Sequence, residues 1–263
     1  MKRYFIVAVA VLAVAGEALA FNPFGHQTVS ALADKYMTEK AKSEVKAILK
    51  SDMVKEANWL NSLRGQEATA YTKEWHYFTL DAKGKSTTTA ENDGVVQLEK
   101  AIAVLRNRAN ESDSLVNASL RSVIHLVGDM HCLSHIRIEG IEATNGFSYE
   151  VSNEGKGKNF KSWKASWYYL WERTFFNRYT LFTPQYYADD VDIYANDKRA
   201  EYEKGEPRFW VENGGEDVVR ALPYFNTKEL VPTQTVQIQE YNHTKCVAKA
   251  GYRLAALLND IFK

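Results

Sequence analysis

The sequence predicts a single all-α domain, and three observations carry that expectation. Five prolines in 263 residues leave long stretches able to run as helix. Apolar residues recur at three- and four-residue spacing in four separate segments. No internal repeat, low-complexity block or Pro-rich linker divides the chain. The expected architecture is one compact multi-helix domain over residues 21–263, behind a leader over residues 1–20.

The leader comes first. Lys2 and Arg3 precede an apolar run that ends in Ala18-Leu19-Ala20, an A-x-A cleavage pattern. The run is too short to span a bilayer, and no Cys follows it as a lipid anchor. These features predict a cleaved signal peptide, a secreted or periplasmic protein without a membrane span, and a mature chain of 243 residues starting at Phe21. Val29–Met37, Ala41–Leu49, Val95–Arg106 and Ala248–Phe262 are the four periodic segments, each expected as an amphipathic helix. Trp163, Trp167 and Trp171 recur at i, i+4 and i+8 and predict one helix face lining the core. Asp81–Asp93 and Glu139–Lys158 are polar and Gly-bearing, and are expected as loops, the second with a short hairpin around Ser148–Ser152.

Charge and cysteine content narrow the function. Without Lys2, Arg3 and Glu17 of the leader, 31 basic residues face 32 acidic ones. A balance so near neutral provides no footprint for tight, non-specific duplex binding, although a local site could still act on nucleic acid. Cys132 and Cys246 are too few for a disulfide framework; they either pair or stay as two buried thiols.

The chemistry concentrates in Ile124–Ile136, IHLVGDMHCLSHI, which holds three of the six histidines and one aspartate. On a helix, His125 and Asp129 stand four residues apart and share a face. Imidazole and carboxylate at that spacing suit zinc. His135 lies six residues beyond Asp129, near enough to join the site where the helix turns or ends. His26 stands six residues into the mature chain and His76 lies among aromatics, whereas His243 fits no constellation. A free N-terminus near a histidine adds a backbone chelate, through the α-amine and carbonyl of residue one.

Five motifs together resemble one family. They are F-x-x-x-G-H at Phe21–His26, A-N-W-L-N-x-x-R at Ala57–Arg64, W-H-Y at Trp75–Tyr77, H-L-V-G-D-x-H-x-x-x-H at His125–His135, and A-G-Y-R-L-A-x-x-L-N near the C-terminus. The resemblance is to the zinc-dependent single-strand nucleases, the S-one/P-one group that includes mung bean nuclease, related in fold to bacterial zinc phospholipase C. It implies an all-helical fold and a secreted enzyme that cleaves phosphodiesters of single-stranded DNA or RNA, with 3′-nucleotidase activity in many members. It implies one zinc on the Phe21 backbone, His26 and Asp129, and a second on Asn61, His76, His125 and the bridging Asp129. Arg64 becomes the cation on the developing phosphorane charge, and Tyr77 the aromatic that stacks a base.

Departures from the pattern shape the remaining expectations. Phe21 replaces the usual Trp, and Asn61 replaces an Asp, keeping an oxygen ligand without its charge. His135 would take a third zinc with a His and an Asp from a downstream N-L-H-x-x-W-D motif. That motif is read at Asn159–Lys164, where Lys161 and Lys164 stand near the missing ligands. One or two zinc ions are therefore expected and a third is not, with either lysine a substitute contact to phosphate. A phosphodiesterase on another substrate, such as a phospholipid head group, and a metal-binding relative without turnover stay open beside the nuclease.

Overall fold

Short polar side chains set where the helices begin. In the computed structural model, which describes residues 22–143, 146–151, 161–179 and 181–263, Asn22 accepts a hydrogen bond from Gly25 N and Pro23 follows it. The first turn of α1 (Pro23–Tyr36) is thereby fixed. Thr38 and Asp52 cap α2 (Glu39–Leu49) and the one-turn α3 (Met53–Glu56), and α4 (Trp59–Ser62) follows. A 3-10 stretch over Glu67–His76 leads into β1 (Phe78–Leu80). Asp93 caps α5 (Gly94–Arg106), and Ser112 caps α6 (Asp113–Met130). A 3-10 turn at Leu133–His135 precedes β2 (Ile136–Ile138), and then come β3 (Phe147–Val151) and β4 (Lys161–Ala165). The remaining elements are α7 (Trp167–Glu172), α8 (Pro184–Ala195), α9 (Arg199–Tyr202), α10 (Pro207–Ala221), the two-residue β5 (Leu230–Val231) and α11 (Thr233–Ile261).

The chain is all-α in class, and its few strands are short. All four periodic segments lie in helices α1, α2, α5 and α11. α1 starts before Val29 because Asn22 and Pro23 initiate it, and it stops at Tyr36 with Met37 as cap. α11 starts well before Ala248. Its first half buries only a narrow stripe of Gln239, His243 and Cys246, whereas Val247–Ala255 is almost wholly enclosed apart from Lys249. The polar first half therefore shows weaker apolar periodicity in sequence.

The tryptophan stripe is a correction. Trp163 lies on β4, opposite Tyr149 of β3. Only Trp167 and Trp171 are helical, on α7, and both are buried. Ser166 separates the two elements by capping α7 through Tyr169 N, so the i, i+4, i+8 spacing runs across a strand end. The expected hairpin strand near Ser148 does form. It pairs antiparallel with β4 and parallel with β5.

Helix packing holds α6 within the core. α1 lies against α8 and α11, α5 against α6, and α6 also touches α1, α2 and α11. Gly251 permits the close α1–α11 approach: a Cβ there would fall 2.6 Å from Leu32 Cδ2. Asp192 of α8 ties the layer together, accepting hydrogen bonds from Tyr36 and Tyr252 at 2.7 Å each and an ion pair from Lys35. Cys132 and Cys246 are both buried free thiols. No helix among the described residues is long and apolar enough to cross a membrane. The expected leader and Phe21 lie outside the described residues.

Candidate metal centre

Three elements meet at Asp129. α6 carries His125 and Asp129 on one face, the first turn of α1 brings His26, and the end of the 3-10 stretch before β1 brings His76. Asp129 Oδ2 lies 2.7 Å from His76 Nδ1 and 3.2 Å from His125 Nε2, and Oδ1 lies 3.4 Å from His26 Nε2. All four side chains are buried. The His26 ring stacks on His125 with centroids 3.7 Å apart. Gly128 makes room for that stack, since a Cβ there would fall 2.7 Å from His26 Nδ1.

A second group adjoins the first. β1 and β2 pair in parallel with Phe78 opposite Ile136, which sets His76 beside His135. The His135 Nδ1–H donates to the His76 carbonyl at 2.6 Å, and Nε2 lies 2.6 Å from Glu172 Oε1 and 3.9 Å from Asp129 Oδ1. The same Glu172 oxygen accepts from the Cys132 thiol at 3.2 Å and from Ser134 at 2.9 Å. His26, His125 and Asp129 form one set of ligand atoms within 4.8 Å of one another; Cys132, His135 and Glu172 form another.

Protonation fits a cation. Burial, reinforced by the neighbouring His125, drives His26 down to about 3. Burial likewise takes His76 down to about 4, with the Arg64 charge adding to it. Both rings are neutral at pH 7 and offer lone pairs. Burial would raise Asp129, but the surrounding histidines outweigh it and hold the carboxylate ionised. His135 moves the other way: burial lowers it, yet Glu172 and Asp129 raise it further. Glu172, with Oε1 2.6 Å from the ring's Nε2, is the larger of these two. Burial, then Glu172, pushes the Cys132 thiol well up.

The hydrogen bonds also orient the rings. His125 Nδ1–H donates to the Ala57 carbonyl at 2.8 Å, as His135 does to His76, so in each ring Nε2 faces a carboxylate. His76 Nε2 and Glu172 Oε2 are buried and make no hydrogen bond. Orphaned buried polar atoms are costly, and a metal ion is the economical partner for a set of imidazoles and carboxylates. The residues fit zinc.

A family model described as S1/P1 nuclease matches residues 21–263. The chain belongs to the S1/P1 nuclease family. It is also 23% identical to nuclease S1 of Aspergillus oryzae over 296 aligned residues, covering 99% of this chain and 98% of the relative.

Family membership and geometry together revise the sequence reading of the third ligand set. The downstream motif of S1/P1 nucleases ends in W-D, and Trp171-Glu172 on α7 answers to it better than Asn159–Lys164. The match is Glu for Asp, with Tyr168 at the histidine position. A carboxylate one methylene longer than expected, directly after a Trp, was the signal in the sequence. Asn159 and Phe160 lie outside the described residues. Lys161 is on β4 opposite Val151, and Lys164 is exposed opposite Ser148. The group facing His135 is thus a carboxylate, and His135 does not stand alone.

The other expected residues distribute as follows. Asn61 is buried on α4, which packs on α6, and its Nδ2 donates to Asn58 Oδ1 at 2.9 Å, which fixes the orientation of the amide. The Arg64 charge is felt by His76, Tyr77 and Tyr168 alike. Tyr77 stands 5.3 Å from His135 in a near-parallel stack, and the Arg137 guanidinium covers its ring at 3.6 Å. A base stacking on that covered face has to displace Arg137, which the sequence reading did not foresee. Burial, followed by Glu172, raises the Tyr168 phenol far above its ordinary value. His243 is structural: it is buried against Trp171, Phe175 and Phe176.

Proposed function

We propose that this chain is an exported, zinc-dependent phosphodiester hydrolase acting on single-stranded nucleic acid or on 3′-nucleotides. The observation that carries the reading is the pair of buried ligand groups sharing one wall, His26–His76–His125–Asp129 and Cys132–His135–Glu172. Family membership supports nuclease activity, and the relative's name points the same way. The apolar run and A-x-A pattern of residues 1–20 support export.

His26, His76, His125 and Asp129 would hold the metal, joined by Asn61 and the Phe21 backbone, while Glu172, His135 and Cys132 offer a further position. Zinc held there supplies Lewis acidity and brings the pKa of water to about 7. The chain's own residues do the rest. Asp129 and Glu172 are the carboxylates that offset the added positive charge in a buried wall, which makes a third ion more tenable than the sequence reading allowed. The carbonyls of Ala57 and His76 lock the His125 and His135 tautomers, so no ligand ring has to rotate when the site fills. Arg64 presents a fixed, always-charged fork to the phosphate and stabilises the extra negative charge of its transition state. Trp75 packs against the core and Tyr77 stacks on His135, and together they would shield one side of the wall from water.

The test is metal analysis of the chain beginning at Phe21, run beside hydrolysis assays on single-stranded DNA, RNA, 3′-nucleotides and a phospholipid head group. Bound zinc with nucleotide release supports the reading. Cleavage of the lipid head group alone would reassign the substrate, and zinc without any hydrolysis would leave a binding protein.

A further inference from the structure

The 3-10 stretch that ends in His76 carries an exposed aromatic ring midway along it. Tyr71 is 64% exposed, and its ring meets that of half-buried Trp75 edge-on, with centroids 5.4 Å apart. Trp75 in turn packs against the core, so the pair is anchored. Residues three apart in a 3-10 helix lie on one edge, which aligns Tyr71 with Glu74. Glu74 holds Arg137 at 2.7 Å, Arg137 covers Tyr77, and Tyr77 stacks on His135. A line of rings and charge therefore runs from the ligand wall to the surface. Arg137 closes the Tyr77 face, and Tyr71 is the open ring of this segment. Lys73 and Arg137 add exposed positive charge. Rings interleaved with cations suit a strand with unpaired bases, since each base has a π-face to stack and each phosphate a charge to meet.

We propose that Tyr71, braced by Trp75, is a stacking platform for an unpaired nucleobase of a single strand that also reaches the metal wall. The inference deepens the phosphodiester reading above and rests on it. The platform takes a base outside the reacting nucleotide, so it serves strands and not mononucleotides. It reads no sequence, because every base offers a π-face. It also disfavours duplex, whose bases are paired and stacked on one another. The ring face makes the contact, and nothing is asked of the phenol hydroxyl.

The experiment uses the metal-loaded protein and a labelled single-stranded oligothymidylate of about ten nucleotides, with a hydrolysis-resistant phosphorothioate backbone. Binding is read by fluorescence anisotropy. Tyr71→Ala should weaken it about tenfold, the scale for one base–aromatic stack. Tyr71→Phe keeps the ring and should bind as the unsubstituted chain does. An abasic strand of the same length and backbone keeps the phosphates without the bases, and should bind all three proteins equally. Zinc content and thermal midpoint should hold. On the cleavable oligomer, Tyr71→Ala should raise KM by a similar factor and change kcat less than twofold, because ground state and transition state both use the contact. Unchanged affinity in Tyr71→Ala overturns the proposal. An equal loss on the abasic strand overturns it too, since the contact would then not be to a base. So does a loss in Tyr71→Phe as large as in Tyr71→Ala, which would make the hydroxyl the contact. Undetectable binding of the oligomer by the unsubstituted protein also overturns it. Binding that depends on Tyr71 in a chain that cuts no strand refutes the hydrolase reading and leaves the platform standing. A nuclease indifferent to Tyr71→Ala does the reverse.

Discussion

Gly128→Ala should weaken metal binding while leaving the fold intact. A Cβ at this position would sit 2.7 Å from His26 Nδ1, roughly 0.7 Å inside the 3.4 Å at which ordinary contact begins. His26 cannot yield by that amount in place. Its other neighbour is the His125 ring, stacked with centroids 3.7 Å apart, and α1 is pinned at its first turn by the Asn22 cap. The ring must swing off Asp129, and a metal site tolerates ligand displacements of only about 0.2 Å. Losing one supporting contact of this kind weakens metal binding about 10- to 100-fold. On helix propensity alone the substitution stabilises α6 by about 1 kcal/mol, which offsets local strain, so the thermal midpoint of the metal-free protein should shift by only a few degrees. The assay is zinc competition against a chelator of known affinity, paired with thermal unfolding after metal removal. A variant that binds zinc as tightly as the unsubstituted chain would show that His26 is not a ligand.

Glu172→Gln keeps the volume and removes the charge; zinc per chain should drop by one, with the His26–His125–Asp129 group still filled, as counted by elemental analysis. Asp192→Ala strands the Tyr36 and Tyr252 hydroxyls and Lys35, and should cost about 3 kcal/mol in denaturant unfolding. Burial opposes ionisation of Asp192, but Lys35, Tyr252 and Tyr36 outweigh it and hold its carboxyl low. A depressed folded value stabilises above the ordinary 3.8 and fades as pH falls through the folded one, so Asp192→Asn should flatten the acid limb below about pH 4. Two residues added ahead of Phe21 should remove one zinc and most activity, because an amide nitrogen is a poor donor; full zinc and full turnover in that chain would refute the backbone chelate. Gly251→Ala should cost about 1–3 kcal/mol by driving α11 off Leu32, measured as a lower midpoint with metal stoichiometry unchanged.

Local spacing and long-range contact were legible to different degrees. His125 and Asp129 are one turn apart on α6, so their shared face follows from helix geometry alone. The caps at Thr38, Asp93 and Ser112 and the apolar periodicity of α5 are equally local. The Trp163–Trp171 spacing misled because it imitates a helix, whereas pairing with β3 draws Lys161–Ala165 into a strand. That pairing lies ten or more residues away in sequence and leaves no mark on the spacing.

The sequence by itself determined the class of the fold and the identity of the buried imidazoles and Asp129, since caps, periodicity and the i, i+4 pair are encoded within a few turns. Only the tertiary structure decided which carboxylate meets His135. Glu172 is 37 residues away, and it arrives because α7 packs on the Leu133–His135 turn, burying Trp171 and Leu170 behind it. Tertiary packing likewise placed Arg137 over Tyr77 through the β1–β2 register. Such contacts depend on how helices and strand edges dock, which is fixed by the summed burial of many apolar side chains and not by the spacing of the polar residues that end up touching.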